Sequence, residues 1–183
     1  SAVDMSASYY QPNGYWNGNV WFSHQWFLWK TMLDLGKMEE AWKIAKTALD
    51  SWKREVDYSY YTFEMLNIAT ARGGWFHQFG GLSSPVNIWA NAYYRRGTVS
   101  CGFDLWIGEQ SYEEDTDTFR LTVTNHSDRA VGLLLVTGGA DTSVPEVFLD
   151  GEPLEAVRRT LGALECRIPA RVRKGRVVAK ARV

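Results

Sequence analysis

The sequence is poor in most features that announce a function directly. It carries two cysteines in 183 residues, Cys101 and Cys166, without CxxC spacing. That excludes a disulfide framework and leaves open whether the two thiols pair. Three histidines, His24, His77 and His126, fall in no HExxH or comparable ligand spacing, so neither a metal nor a cofactor is expected. No serine sits in GxSxG, and no glycine-rich loop is followed by lysine. Serine-hydrolase chemistry and phosphate-loop nucleotide binding are thereby set aside. The acidic run Glu113-Glu114-Asp115 lacks a calcium-loop pattern and reads as a solvated turn. No apolar run is long enough to span a bilayer and no signal-peptide pattern opens the chain. A soluble chain of unassigned compartment is expected. Net charge is −1, and the basic residues from Arg171 onward alternate with valine and alanine, so no nucleic-acid partner is expected.

What is present is tryptophan, unevenly placed. All nine lie between Trp16 and Trp106 and none follows. The composition therefore changes near residues 97–110, and two domains are expected, 1–96 and 97–183. The first is predicted to open irregularly, with Asn-Gly turn signals in QPNGYWNGN. A helix over about 20–35 should follow, with Val20, Phe22, Phe27 and Leu28 read as packing residues. A second over 38–54 carries Met38, Ala41, Ala45, Ala48 and Trp52 at helical spacing. Residues 57–81 show no sustained period and read as a long loop, of the kind that in compact proteins carries function or lacks a neighbour. Ser84-Pro85 should open a third helix ending near Tyr94. From Thr98 onward, alternation at Phe119, Leu121 and Val123, the run VGLLLV at 131–136 and the Asp150-Gly151 turn predict a small antiparallel β-sandwich-like domain. Residues 1–96 are then either a compact helical subdomain or the last part of a larger helical one.

Three segments could carry chemistry. In GYWNGNVW (14–21), the rings of Tyr15, Trp16 and Trp21 could stack on sugar faces while Asn17 and the nearby His24 grip hydroxyls; equally, the tryptophans could be core and the asparagines turn formers. Glu64, in YYTFEMLN, is a carboxylate in aromatic surroundings and could act as acid or base, or simply be solvated. In GGWFHQFGG (73–81), paired glycines bracket Trp75, His77 and Gln78 and imply a constrained backbone presenting side chains to a ligand.

Taken together, GYWNGNVW, FEMLN and GGWFHQFGGLSSPVNIW resemble the end of the (α/α)6-barrel domain of the glycoside hydrolases typified by trehalase, the family 63 processing α-glucosidases and the glucosidase domain of glycogen-debranching enzymes. Those have a YWRGPxW-like motif, in which Asn17 and Asn19 here replace arginine and proline. They also have a catalytic glutamate in a YExYNPxTGxG-like motif, where Ala71 replaces the first glycine. The resemblance covers roughly residues 12–95. It implies an α+β fold: C-terminal helices of an (α/α)6 barrel followed by the β-sandwich-like domain. It further implies inverting hydrolysis of an α-glucoside or other oligosaccharide, with Glu64 as general base. Tyr15, Trp16, Trp21 and Trp75 would wall the subsite, and Asn17, His24, His77 and Gln78 would meet hydroxyls. The general acid would lie upstream, in a missing N-terminal portion of the polypeptide or a complementary chain, leaving this piece inactive alone. The alternative is a non-catalytic carbohydrate-binding or structural module.

Overall fold

The computed structural model describes residues 3–138 and 144–180. The chain forms two compact units, Ser1–Leu28 with Lys43–Trp89, and Trp29–Trp42 with Ala90–Val183. Among the described residues there are three helices and eleven strands: α1 (Phe22–Asp34), α2 (Met38–Ser59), β1 (Phe63–Leu66), β2 (Gly73–His77), α3 (Gly80–Tyr94), β3 (Val99–Cys101), β4 (Leu105–Glu113), β5 (Thr118–Asn125), β6 (Val131–Val136), β7 (Glu146–Leu149), β8 (Glu152–Leu154), β9 (Ala156–Arg158), β10 (Ala163–Ile168) and β11 (Gly175–Lys180).

This overturns the expected C-terminal helices of an (α/α)6 barrel followed by a β-sandwich-like domain. Three helices cannot close a double ring of helix pairs, and the strands form open antiparallel sheets ordered β1-β2, β3-β6-β10-β9 and β4-β5-β11-β7-β8. The fold is not an (α/α)6 barrel with a trailing β-sandwich-like domain. No helix among the described residues is long and apolar enough to cross a membrane.

In the second unit, period-two alternation sets the core. Phe119, Leu121 and Val123 of β5 and Val177 and Ala179 of β11 point the same way and are buried. They join Val131, Leu133, Leu135, Leu164, Cys166 and Ile168 of β6 and β10 in one apolar cluster. All six residues of β6 are buried, because its other face is also covered. A Cβ added at Gly132 would lie 2.2 Å from Met38 Sδ and 3.3 Å from Leu33 Cδ2, so any larger residue would force the Met38 side chain to shift. The same side holds an ion pair in which the half-buried Arg159 meets the buried Glu165 through two 2.9 Å bonds. Asn125 closes β5: its amide donates to the carbonyls of Arg129, Ile168 and Pro169, and its Oδ1 accepts from the Ser127 N–H. The β7–β8 hairpin turns on Asp150 and Gly151, both at positive φ, as the two-residue Asp-Gly turn requires. Cys101 and Cys166 are both free thiols.

The first unit departs furthest from the sequence reading. Residues 57–81 are no open loop: α2 runs on to Ser59, and β1 and β2 form a hairpin. Its turn is built locally, with Asn67 Oδ1 accepting from the N–H groups of Ala69 and Thr70 and Ala71 at φ 54°. The strands are four and five residues long and a register shift lies between Phe63 and Met65, so no alternation long enough to register is left. Val20 is no helical residue either; it bridges Leu66 through N···O distances of 2.7 and 3.0 Å. Phe27 and Leu28, expected to pack, are exposed. Helix α3 starts at Gly80 rather than at Pro85, which lies inside it and forgoes one ladder hydrogen bond. On α2 the small-residue stripe expected from spacing is buried at Ala45 and Ala48.

Candidate functional site

The segment 10–19 is a tight coil whose geometry follows from its glycines and asparagines. A Cβ on Gly18 would stand 1.7 Å from the Gln11 carbonyl oxygen, and one on Gly14 would stand 2.0 Å from Asn17 Oδ1. The Asn17 amide donates to the Tyr9 carbonyl at 2.6 Å and the Asn19 amide to that of Gly14 at 3.1 Å. Asn17 therefore serves the coil itself, and its amide faces backbone. The coil is tied to the hairpin turn by Asn67, whose amide reaches Pro12 O and Asn13 Oδ1.

This coil presents a cluster of rings. Tyr15 stands edge-on to Trp16, Trp21 and Trp75, at centroid separations of 5.3, 4.8 and 5.0 Å. Trp16 and Trp21 stack at 4.0 Å with planes 13° apart, and the Trp21 indole N–H donates to the Tyr15 carbonyl. His24, one helical turn after Trp21, stands edge-on to Trp16. Trp21 is buried, but Trp16 is 54% and Trp75 62% exposed. Each ring contact adds about 0.5–1.5 kcal/mol beyond area burial, so two outward tryptophan surfaces rest on a preformed base.

Glu64 belongs to that base. It is 6% exposed, and the Tyr15 hydroxyl donates to its Oε1 at 2.5 Å. That bond is the main cause of a raised Tyr15 pKa, with desolvation and the negative charge of Glu64 acting in the same direction. Strand β1 carries Glu64 inward between Phe63 and Met65, and Gly73 on β2 lets the Phe63 ring close over the backbone, where a Cβ would come within 2.0 Å of Phe63 Cδ2.

Of the residues singled out from the sequence, Tyr15, Trp16, Trp21, His24, Trp75 and Glu64 come together. His77 and Gln78 do not join them. His77 packs on Tyr61 at 4.9 Å, and the Gln78 backbone N–H donates to Thr62 O at 2.6 Å. Backbone strain concentrates here: Tyr60, Ala71, Trp75 and Gln78 have φ of 63°, 54°, 64° and 60°, each costing on the order of 1–3 kcal/mol in a non-glycine residue.

One supporting pair was not read from the sequence. Glu55, 3% exposed, accepts from Arg72 Nη2 and from the Gly73 N–H, and pairs with Arg72 Nε at 2.7 Å. The Arg72 guanidinium also lies 3.7 Å from the Tyr58 ring centroid. The signal was available, since Glu55 continues the 45, 48, 52 stripe of α2 inward. Among the described residues no group of His, Cys, Asp and Glu could hold a metal ion.

Residues 1–73 match the family model described as the mannosylglycerate hydrolase MGH1-like glycoside hydrolase domain. No curated protein and no solved structure matches the chain. The match ends before Trp75, His77 and Gln78 and covers less than half of the chain. Together with the open sheets and the three helices, it corrects the resemblance stated above: the chain is not recognised as the end of a trehalase-like (α/α)6 barrel. The inverting-hydrolase reading falls with the catalytic architecture on which it depended.

Proposed function

We propose that the first unit is a non-catalytic carbohydrate-binding module, in which Trp16 and Trp75 stack on sugar rings. Tyr15, Trp21 and Glu64 hold those two rings in place, and His24 lies at the edge of the platform as a hydrogen-bonding group. One observation carries this reading: two exposed tryptophans are braced from behind by a tyrosine whose hydroxyl is fixed on a buried carboxylate. A preorganised apolar surface beside a few polar groups suits a ligand with flat C–H faces and peripheral hydroxyls. The match of residues 1–73 to a glycoside hydrolase domain family supports a sugar as the ligand. The name of that family makes mannose-containing compounds the first ligands to try, with other oligosaccharides for comparison.

In this reading His77 and Gln78 stand outside the platform and Asn17 shapes the coil. Glu64 acts as the anchor of Tyr15. The test is titration of the protein with gluco- and manno-oligosaccharides, followed by tryptophan emission and calorimetry, with product analysis after long incubation. Saturable binding without new reducing ends is expected. Release of reducing ends, or no binding to any member of either series, overturns the reading.

A further inference from the structure

Among the buried polar atoms of the first unit without a hydrogen-bond partner in the described residues are Oε2 of Glu64 and Nε1 of Trp52. Leaving either group desolvated and unpaired costs about 1–3 kcal/mol, and such atoms in folded proteins ask for an explanation. Both side chains line the same small cavity, whose wall also includes Thr62, Phe63 and Glu55. Its volume is ≈ 10 Å³ of space for the centre of a water-sized sphere, which is about one water molecule.

The polarity of the two atoms selects the occupant. An indole N–H only donates and a carboxylate oxygen only accepts. A cation would suit Glu64 and be repelled by the N–H dipole; an anion would do the reverse. Water accepts from one and donates to the other, and the nearby guanidinium of Arg72 is already engaged by the Glu55 carboxylate. We infer that one buried water bridges Trp52 Nε1 and Glu64 Oε2. Helix α2 and strand β1 are then joined through it, and the Glu64 carboxylate is held at both oxygens, by Tyr15 on one side and by the water on the other. Trp52 becomes a positioning residue for the ring platform. The water site is independent of the sugar reading; only this last role of Trp52 rests on it.

The experiment is a high-resolution crystal structure of the sugar-free protein and of Trp52→Phe. It is paired with nuclear Overhauser measurements on the wild-type Trp52 indole proton, which need no variant. The wild type should hold one water within ~2.7–3.2 Å of both atoms, and the indole proton should cross-relax with a long-lived water. In Trp52→Phe the water should be lost or displaced. A dry cavity in the wild type, an indole proton without a water cross-peak, or an unmoved water in Trp52→Phe overturns the inference. Oligosaccharide affinity is read separately: Trp52→Phe should weaken it about three- to ten-fold, the effect of one net hydrogen bond. An unchanged affinity removes Trp52 as a positioning residue. A wild type that holds the water yet binds no sugar leaves the bridge standing and overturns only the carbohydrate reading.

Discussion

The hydroxyl of Tyr15 and the carboxylate of Glu64, 49 positions apart in sequence, meet in a 2.5 Å hydrogen bond. This bond joins the coil that carries Trp16 to the hairpin that carries Trp75. Tyr15→Phe leaves Oε1 without its donor, whereas Glu64→Gln keeps a carbonyl oxygen able to accept. Tyr15→Phe should therefore lower the denaturation midpoint and the sugar affinity more than Glu64→Gln does. Urea unfolding and calorimetric titration of both variants check the order, and the reverse order removes Glu64 as anchor.

The same bond predicts a pH effect. Donation to Glu64 raises the Tyr15 pKa, so the folded chain holds the phenol proton more tightly than the unfolded chain does. The stabilisation is complete below the ordinary tyrosine value of about 10 and is lost as pH rises through the higher folded value. Tryptophan emission should shift with pH over that range in the wild type and shift less in Tyr15→Phe. Equal alkaline shifts in the two proteins contradict the prediction.

Trp16→Ala and Trp75→Ala should each weaken oligosaccharide binding at least ten-fold, because each removes a stacking face. Trp106→Ala serves as the control: that ring is 64% exposed but belongs to the second unit, and its loss should leave the affinity unchanged.

Arg72→Met strands the Glu55 carboxylate, which is 3% exposed. Removing one partner of a buried pair costs about 3–5 kcal/mol. Arg72 itself is 42% exposed, which moves the expected loss to about 3 kcal/mol or less. Chemical denaturation measures it, and Glu55→Gln with Arg72→Met should recover part of the loss.

Burial pushes the Cys166 thiol up to about 12. Folding then retains a proton that the unfolded chain releases near 8.5, so stability falls as pH rises from there towards 12, by ~1.4 kcal/mol per pH unit from this group. Cys166→Ala should flatten that slope. Because both cysteines are free thiols, a reducing agent should not change the unfolding midpoint.

Legibility in the sequence followed the reach of each interaction. The Asp150-Gly151 turn, the six-residue run of β6 and the alternation of β5 are local patterns, and each forms where spacing placed it. The β1–β2 hairpin was hidden because its turn is an asparagine-centred one with Ala71 at positive φ, and its strands are too short to alternate. In the site, the rings of GYWNGNVW were visible as a group. The partnership of Tyr15 with Glu64 was not, because nothing in a linear pattern says which hydroxyl will face which carboxylate across 49 residues. An amide in sequence looks the same whether it faces a ligand or, as Asn17 Nδ2 does, the Tyr9 carbonyl.

The cap formed by Asn125 has a biosynthetic consequence. Asn125-His126-Ser127 has the form of an acceptor for N-linked glycans. In the folded chain the side-chain nitrogen that would carry the glycan is buried and donates to three carbonyls, two of them at the end of β10. A transferase could reach it only before β10 is in place, and a glycan attached then would deny β5 its closing bonds. In a secretory pathway, occupancy at Asn125 would therefore mark molecules that failed to complete this sheet.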